Sequence, residues 1–167
     1  MREAVDYLAD LGHTVIARVS GFEGFSYTVI RDATFIKAMT ARGLRPTVIR
    51  TNYSPDAGAQ ATRRALSSAD PPSALIFDND IMAVAALGVA AQLGLRVPGD
   101  LSLVAWDDSS LCGYVHPKLT ALSHDVSALG AHAASRLLDV IGGTPPAAHQ
   151  DVTPRLLVRA STGPHRC

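Results

Sequence analysis

The feature that most constrains the fold of this chain is a regular alternation between helix-type and strand-type apolar spacing. Only a few residues join each segment to the next. This order predicts a mostly parallel sheet with helices on both faces, because a parallel strand pair needs a crossover connection that is usually a helix. The predicted helices are 3–11, 27–42, 55–68 and 80–94, and the predicted strands are 15–20, 47–51, 74–77 and 101–105.

The last third of the chain departs from this alternation. A loop precedes a short extended piece at 119–122, and residues 127–141 are predicted to form a helix with apolar residues at four-residue spacing. Glycine and proline pairs end that helix, and residues 155–159 are predicted to form a final strand. Residues 143–154 have a loop-like composition, which is consistent with a crossing between two lobes.

The charge balance argues against direct nucleic-acid binding. The 167 residues include 15 basic and 15 acidic side chains, so the formal net charge is zero, whereas nucleic-acid binders usually carry a basic excess or a basic face. Apolar residues make up 47% of the chain, enough for a buried core at this length. We therefore expect a folded unit that does not bind DNA by itself.

The N-terminus and the cysteines favour a cytoplasmic protein. The first residues lack a basic-then-apolar signal pattern, and the longest apolar stretch, 81–95, is shorter than the about 20 residues of a membrane span. Cys112 and Cys167 are expected to be unpaired thiols of a reducing compartment. We predict a cytoplasmic location and no membrane contact.

Polar or aromatic side chains follow the predicted strands. Arg31 lies early in the helix after the first strand, Tyr53 follows the second, Asn79 the third and Asp107 the fourth. In open parallel sheets, ligands bind outside the carboxyl ends of the strands. We therefore expect these residues to meet at one edge of the sheet.

The chemistry of this set suits a neutral, hydroxyl-rich ligand. An ionised Asp107 can accept hydrogen bonds from two hydroxyl groups, Asn79 can donate and accept, and Arg31 offers a rigid fork of donors. Tyr53 or Trp106 could supply an apolar wall for a sugar ring or a base.

Structural roles are an open alternative for the same residues. Asn79 or its neighbours could cap the next helix, Asp107 could be a turn residue, and Arg31 could be a solvated helix residue. No nucleophile elbow, P-loop or zinc-protease motif is present. Cys112 and His116 fall short of the three or four ligands of a metal site. We predict no metal and no cofactor.

Several ordered motifs resemble the LacI/GalR family of transcriptional repressors. The clearest is 94–108, which reads GLRVPGDLSLVAWDD, and 73–83 reads SALIFDNDIMA. The remaining matches are 4–21, 31–39, 117–120 and 157–162. The resemblance covers essentially the whole chain.

The resemblance implies a type I periplasmic-binding-protein-like fold, in which two Rossmann-like lobes enclose a cleft. It implies that Arg31, Asn79 and Asp107 contact the effector and that Tyr53 forms an aromatic wall. His124 matches a position near the hinge and completes the predicted effector site.

The resemblance also implies a division of the chain. Residues 1–123 and 155–167 would form a nearly complete C-terminal lobe. Residues 124–154 would be the hinge crossing and a remnant of the N-terminal lobe. The DNA-binding domain of family members is expected to be missing.

A homodimer is the second implication of the resemblance. The segment 81–93 is apolar nearly all round, more than one sheet face can use, and the family dimerises through the matching helix and the loop near 111–116. The competing interpretation is that this helix is buried only against its own sheet. The predicted interface residues are Met82, Ala85, Ala86, Val89, Leu93, Cys112 and Val115.

These observations favour the effector-sensing and dimerisation region of a LacI-type repressor that binds a sugar or a nucleoside. One alternative is a stand-alone or transport-linked sugar-binding protein of the same fold. A second is an enzyme with Asp107 and His124 as acid and base. A third is a dimerisation module that has lost its ligand.

Overall fold

The computed structural model describes residues 1–150 and 152–165 and contains one six-stranded sheet. Its strands are β1 (Ile16–Ser20), β2 (Thr47–Arg50), β3 (Ala74–Phe77), β4 (Ser102–Trp106), β5 (Thr120–Ser123) and β6 (Arg155–Leu157). The helices are α1 (Arg2–Asp10), α2 (Ser26–Ala41), α3 (Pro55–Leu66), α4 (Asp80–Gln92), α5 (Ser110–Tyr114) and α6 (Val126–Ile141). The predicted thiol at Cys167 lies outside the described residues.

The sheet has the order β2-β1-β3-β4-β5-β6, and its first five strands are parallel. The predicted boundaries of these strands and of the five longer helices agree with the structure within two residues. β6 is the exception to a parallel sheet, because it pairs antiparallel with β5. The chain leaves β5 at its carboxyl end, forms α6 and returns at the same end, which reverses the direction of β6.

Helices cover both faces of the sheet, as predicted. One face packs against α3 and α4 around Leu75, Phe77 and Leu103. The other packs against α1 and α2 around Ile76, Phe35 and Leu8. Because both faces are covered, every residue of β1, β3 and β4 is buried, which explains why these strands are mostly apolar. The buried Arg18 of β1 is the charged exception.

A glycine lets α3 and α4 approach each other closely. A Cβ atom at Gly58 would lie 2.7 Å from the Cβ atom of Met82. This close approach brings the α4 face that carries Met82 against the chain's own core.

Four of the seven predicted interface residues have almost no exposed surface in the single chain. Met82, Ala86, Val89 and Cys112 are at most 2% exposed and belong to the core between the sheet and the α3–α4 layer. A side chain without exposed surface in the single chain offers nothing to a partner. Ala85, Val115 and Leu93 keep exposed surface, and Leu93 is 51% exposed.

The helix α5 was not predicted and occupies part of the expected loop. It begins at Ser109, whose hydroxyl oxygen accepts a hydrogen bond from the backbone N–H of Leu111. The backbone N–H of Ser109 in turn donates to the buried carboxylate of Asp80 at the start of α4. A helix of five residues is too short to show a helical period in the sequence.

The helix α6 buries none of its residues. It begins at Asp125, whose carboxylate accepts a hydrogen bond from the N–H of Ala128, and it is apolar along much of its length. Its exposed apolar side chains are Val126, Leu129, Leu137, Leu138, Val140 and Ile141. An apolar helix of four turns without a covering layer is an interaction surface. Within the described residues, no helix is long and apolar enough to cross a bilayer.

A buried histidine joins the end of the chain to the start of the sheet. Nε2 of His13 donates to the carbonyl of Gly163 at 3.1 Å, and Nδ1 lies 2.8 Å from the hydroxyl oxygen of Ser73. Burial lowers the pKa of His13, the hydrogen bond to Gly163 opposes this shift, and the stacked ring of His165 adds to it.

The lowered pKa of His13 predicts a loss of stability in mild acid. Because the unfolded chain binds this proton more readily, the contribution is complete above about pH 6.5 and is lost as the pH falls below it. Thermal unfolding should show a steeper fall of Tm between about pH 7.5 and 5.5 for the parent chain than for His13→Gln. The exposed-site variant His116→Gln is the control and should keep the parental slope. Equal slopes for the parent and His13→Gln would contradict the assignment.

Candidate functional site

Four of the five predicted site residues line one hollow of about 340 Å³ at the carboxyl ends of the strands. They arrive from different elements, because parallel strands end at the same edge. Two further residues that the sequence analysis did not select complete the wall. The lining is Tyr27, Arg31, Tyr53, Asp78, Asn79 and Asp107.

A larger neighbouring hollow of about 920 Å³ begins at Arg31 and extends toward α6. Trp106 and His124 line this second hollow, together with Leu129 of α6 and Pro154. His124 shares this second hollow with Arg31, which borders both spaces, and its charge acts on the carboxylate of Asp107. Its Nδ1 atom is buried and has no hydrogen-bond partner among the residues that the structure describes.

Arg31 lies against two aromatic rings. The centre of its guanidinium group lies 3.9 Å from the centroid of Trp106 and 5.1 Å from that of Tyr27. Its Nη1 atom donates to a carboxylate oxygen of Asp78 at 2.8 Å. A guanidinium group that stacks on an aromatic ring keeps its donors in its own plane, at its edge. This edge borders both hollows.

Asp78 lies at the centre of the contacts beneath the site. Its carboxylate accepts hydrogen bonds from Arg31, from the backbone N–H of Gly21 and from the hydroxyl of Tyr53, the last two at 3.1 Å. Nη2 of Arg18 lies 2.9 Å away as an ion-pair partner. Burial opposes ionisation, but the two guanidinium groups outweigh it and hold the pKa of Asp78 below its usual value.

A second buried carboxylate completes the network on the other side of Arg18. Asp32 on α2 accepts hydrogen bonds from Nε of Arg18 at 2.7 Å and from the hydroxyl of Ser20 at 2.9 Å. Arg50 at the end of β2 also donates to Asp32. Burial again opposes ionisation, and the bonds to Arg18 and Arg50 keep the pKa of Asp32 low. Both carboxylates are therefore ionised at neutral pH.

Asp107 differs from these two carboxylates because no donor of the described residues is hydrogen-bonded to it. Burial raises its pKa, and the nearby charge of Arg31 partly offsets that shift. Its backbone has a φ of +67°, in the left-handed region. Sparsely populated backbone conformations concentrate at functional sites. Asp107 is the acceptor in the hollow that remains available to a ligand.

Tyr53 lines the hollow beside Asp78, to which its hydroxyl donates, and also has a positive φ, +69°. Its ring occupies the space beside Gly21, where an added Cβ atom would lie 1.9 Å from the ring carbon that carries the hydroxyl. Burial raises the pKa of the Tyr53 phenol, and the carboxylate of Asp78 adds to this shift. The phenol is therefore a neutral donor to Asp78.

Asn79 is largely used by the fold. Its side-chain oxygen caps α4 by accepting from the N–H of Met82, and its amide donates to the carbonyl of Tyr53 at 3.0 Å. Of the two roles considered for Asn79, capping is confirmed. One amide hydrogen remains for the hollow.

The sequence analysis did not select Tyr27 for the site. It placed Asp78 after the third strand, at the predicted sheet edge, with helix capping as the alternative, but did not include it among the effector contacts. A signal for Tyr27 was available, because it precedes Arg31 by four positions and the two share one face of α2. Asp78 had no such signal, because its partner Arg18 is 60 positions away. No group of three or more metal-binding side chains occurs within the described residues.

Replacing Gly21 by alanine should displace the Tyr53 ring and remove one donor from Asp78. We expect a loss of roughly 1–3 kcal/mol in the free energy of unfolding, measured by urea denaturation. In a Tyr53→Gly background the same change should cost much less. Gly88→Ala on α4, where nothing lies within 4 Å, is the control. Equal losses in both backgrounds would contradict the steric coupling.

Comparison with known proteins agrees with this architecture. The sequence model of one protein family, the periplasmic binding protein-like domain, matches residues 5–162. Among solved structures, a LacI family transcriptional regulator from Bifidobacterium animalis subsp. lactis superposes with a TM-score of 0.94 at 40% identity, covering 99% of this chain and 63% of its own. The CelR–cellobiose complex, a transcriptional regulator, gives a TM-score of 0.87 at 30% identity, covering 96% and 50%.

The relatives found by sequence are transcriptional regulators as well. The HTH-type transcriptional regulator MalR of Streptomyces coelicolor is 38% identical over 174 aligned residues, which cover 97% of this chain and 49% of MalR. The chain spans about half the length of the curated relatives it matches. The predicted fold class and the resemblance to LacI/GalR regulators are both confirmed. The chain belongs to the periplasmic-binding-protein-like domain family, as found in LacI-family transcriptional regulators, and corresponds to their effector-binding region.

Proposed function

We propose that this chain senses a sugar or a nucleoside for a LacI-type transcriptional repressor. The observation that carries the proposal is the pairing of an unbonded carboxylate, Asp107, with the clamped guanidinium group of Arg31 at one hollow. Together they offer acceptors and in-plane donors to vicinal hydroxyl groups, and Tyr53 offers an apolar wall.

Two similar structures support a carbohydrate-like effector. One is the CelR–cellobiose complex, and another is the Lac repressor bound to ONPG, which aligns with a TM-score of 0.89 at 30% identity. These ligands belong to those proteins. For this chain we propose the site Arg31, Tyr53, Asn79 and Asp107, with His124 at the entrance of the neighbouring hollow.

The proposed division of the chain places 1–123 and 155–167 in one lobe and 124–154 in the hinge and a second lobe. The uncovered apolar side chains of α6 support this division, because a helix of a second lobe would need a core of its own. The effector would bind one arrangement of the lobes more tightly than the other and so shift the equilibrium between them. DNA would be bound by a part of the repressor outside these residues, in the cytoplasm.

We favour binding over catalysis for this site. The relatives are transcriptional regulators. The site also has no nucleophile elbow, P-loop or zinc-protease motif beside it. A transport-linked binding protein would use the same cleft, but the match to MalR along 97% of the chain favours the regulator.

We also propose that the chain forms a homodimer through α4 and α5. The outward side of α4 carries Ile81 and Ala85, and α5 presents Leu111 and the 87%-exposed Tyr114. Leu93 and Val115, at the ends of these helices, are the other predicted interface residues that keep exposed surface. A two-fold pairing of this face with itself would cover these side chains.

A thermal-shift screen against ribose, galactose, maltose, cellobiose and adenosine tests the sensing proposal. A ligand at 100 times its Kd adds about 2.7 kcal/mol, which for a chain of this size raises Tm by roughly 5–10 °C. Asp107→Asn should abolish the rise, because it removes the free carboxylate. The exposed Asp70→Asn is the matched control and should keep it. A folded parent chain that shifts with none of these ligands would contradict the proposal.

Sedimentation equilibrium tests the dimer with two matched isoleucines. Ile81 on α4 and Ile36 on α2 are 45% and 44% exposed. Ile81→Asp should give a monomer at micromolar concentration, because a charge would be buried in the interface. Ile36→Asp should remain dimeric. A dimer that survives Ile81→Asp would place the interface elsewhere.

A further inference from the structure

Arg31 carries a positive charge that the protein has already neutralised. Its Nη1 atom lies 2.8 Å from Oδ1 of Asp78, whose side chain has no exposed surface. An arginine that faces a pocket without such a partner attracts carboxylates and phosphates, which it binds through two parallel hydrogen bonds. Here one arm of the guanidinium fork is occupied by Asp78, and a charge partner is built in.

Asp78 does not leave a surplus of negative charge, because the network behind it is balanced. Arg18 lies between Asp78 and Asp32, with contacts of 2.9 and 2.7 Å, and is itself fully buried. Arg50 contacts Asp32 and lies 3.5 Å from Glu23. Three guanidinium groups, those of Arg18, Arg31 and Arg50, thus meet three carboxylates.

Asp107 stands outside this balanced network. It lines the same hollow as Arg31, and no donor within the described part of the chain is hydrogen-bonded to its carboxylate. The only uncompensated formal charge among the residues that line this hollow is therefore negative. An anionic group placed there would face Asp107 at short range in a half-buried setting, where repulsion is only weakly screened.

We infer that Asp78, supported by Arg18, is a specificity-determining residue that makes this site select uncharged hydroxylated effectors and reject sugar acids and sugar phosphates. Asp78 cancels the charge of Arg31 while leaving its in-plane donors free for hydroxyl groups. Asp107 then accepts from hydroxyl groups and repels carboxylates and phosphates. The inference deepens the proposed function and names the charge class of its ligand.

The emission of Trp106 provides a direct test, because it is the only tryptophan of the chain and stacks on Arg31. The probes are glucose, glucuronate and inorganic phosphate, titrated at one ionic strength into the parent chain and Asp78→Asn. The parent should show no saturable response to either anion. Asp78→Asn, which leaves Arg31 uncompensated, should bind both anions at least about tenfold more tightly than the parent. Asp70→Asn should behave as the parent.

Asp107→Asn is the second variant, because it leaves the buried ion network around Asp78 intact and so separates charge selection from folding. It removes the repelling charge at a half-buried position and should also gain affinity for glucuronate and phosphate. Saturable binding of glucuronate or phosphate by the parent would overturn the inference, and so would folded variants without any gain. A parent chain that binds no sugar while the variants gain anion binding would contradict the proposed function and would support only the rejection of anions by Asp78 and Asp107.

Discussion

The structure around the site depends on one buried carboxylate. The carboxylate of Asp78 accepts hydrogen bonds from Gly21 in the loop after β1, from Arg31 of α2 and from Tyr53 in the loop after β2. It also forms an ion pair with Arg18 of β1. Removing the partners of a buried charge is strongly destabilising, by about 3–5 kcal/mol in comparable pairs. These elements are therefore held in a single arrangement. The positive φ at Tyr53 persists because its surroundings fix it.

The sequence predicted the parts of the fold that depend on burial alone. β3 and β4 are covered on both faces and are mostly apolar, so they were recognisable as buried strands. The orientation of α4 was not predictable in this way, because a helix that is apolar all round gives no periodic signal. Which side faced the core was decided by the close approach of Gly58 to Met82, a contact between two helices.

In the candidate site too, the sequence predicted the location of the residues but not all of their contacts. The expectation that polar side chains meet at the strand ends was sound, because parallel strands share one edge. The sequence did not show which of the neighbours Asp78 and Asn79 would pair with an arginine and which would cap α4. One turned toward Arg18 and became the centre of an ion network, and the other turned toward α4 and capped it. That division depends on an arginine far away in the sequence, so no local pattern records it.

The fit of Tyr53 against Gly21 has an evolutionary consequence. A side chain at position 21 would occupy the volume of the ring, and loss of the ring would leave a void beneath the hollow. The two positions are therefore expected to vary together rather than independently in homologous sequences. In a homologue with a larger residue at position 21, the side chain at position 53 must be smaller or differently placed, and the wall of the hollow has a different shape. The pair can thus sort homologues by the shape of their binding hollow before any ligand is known.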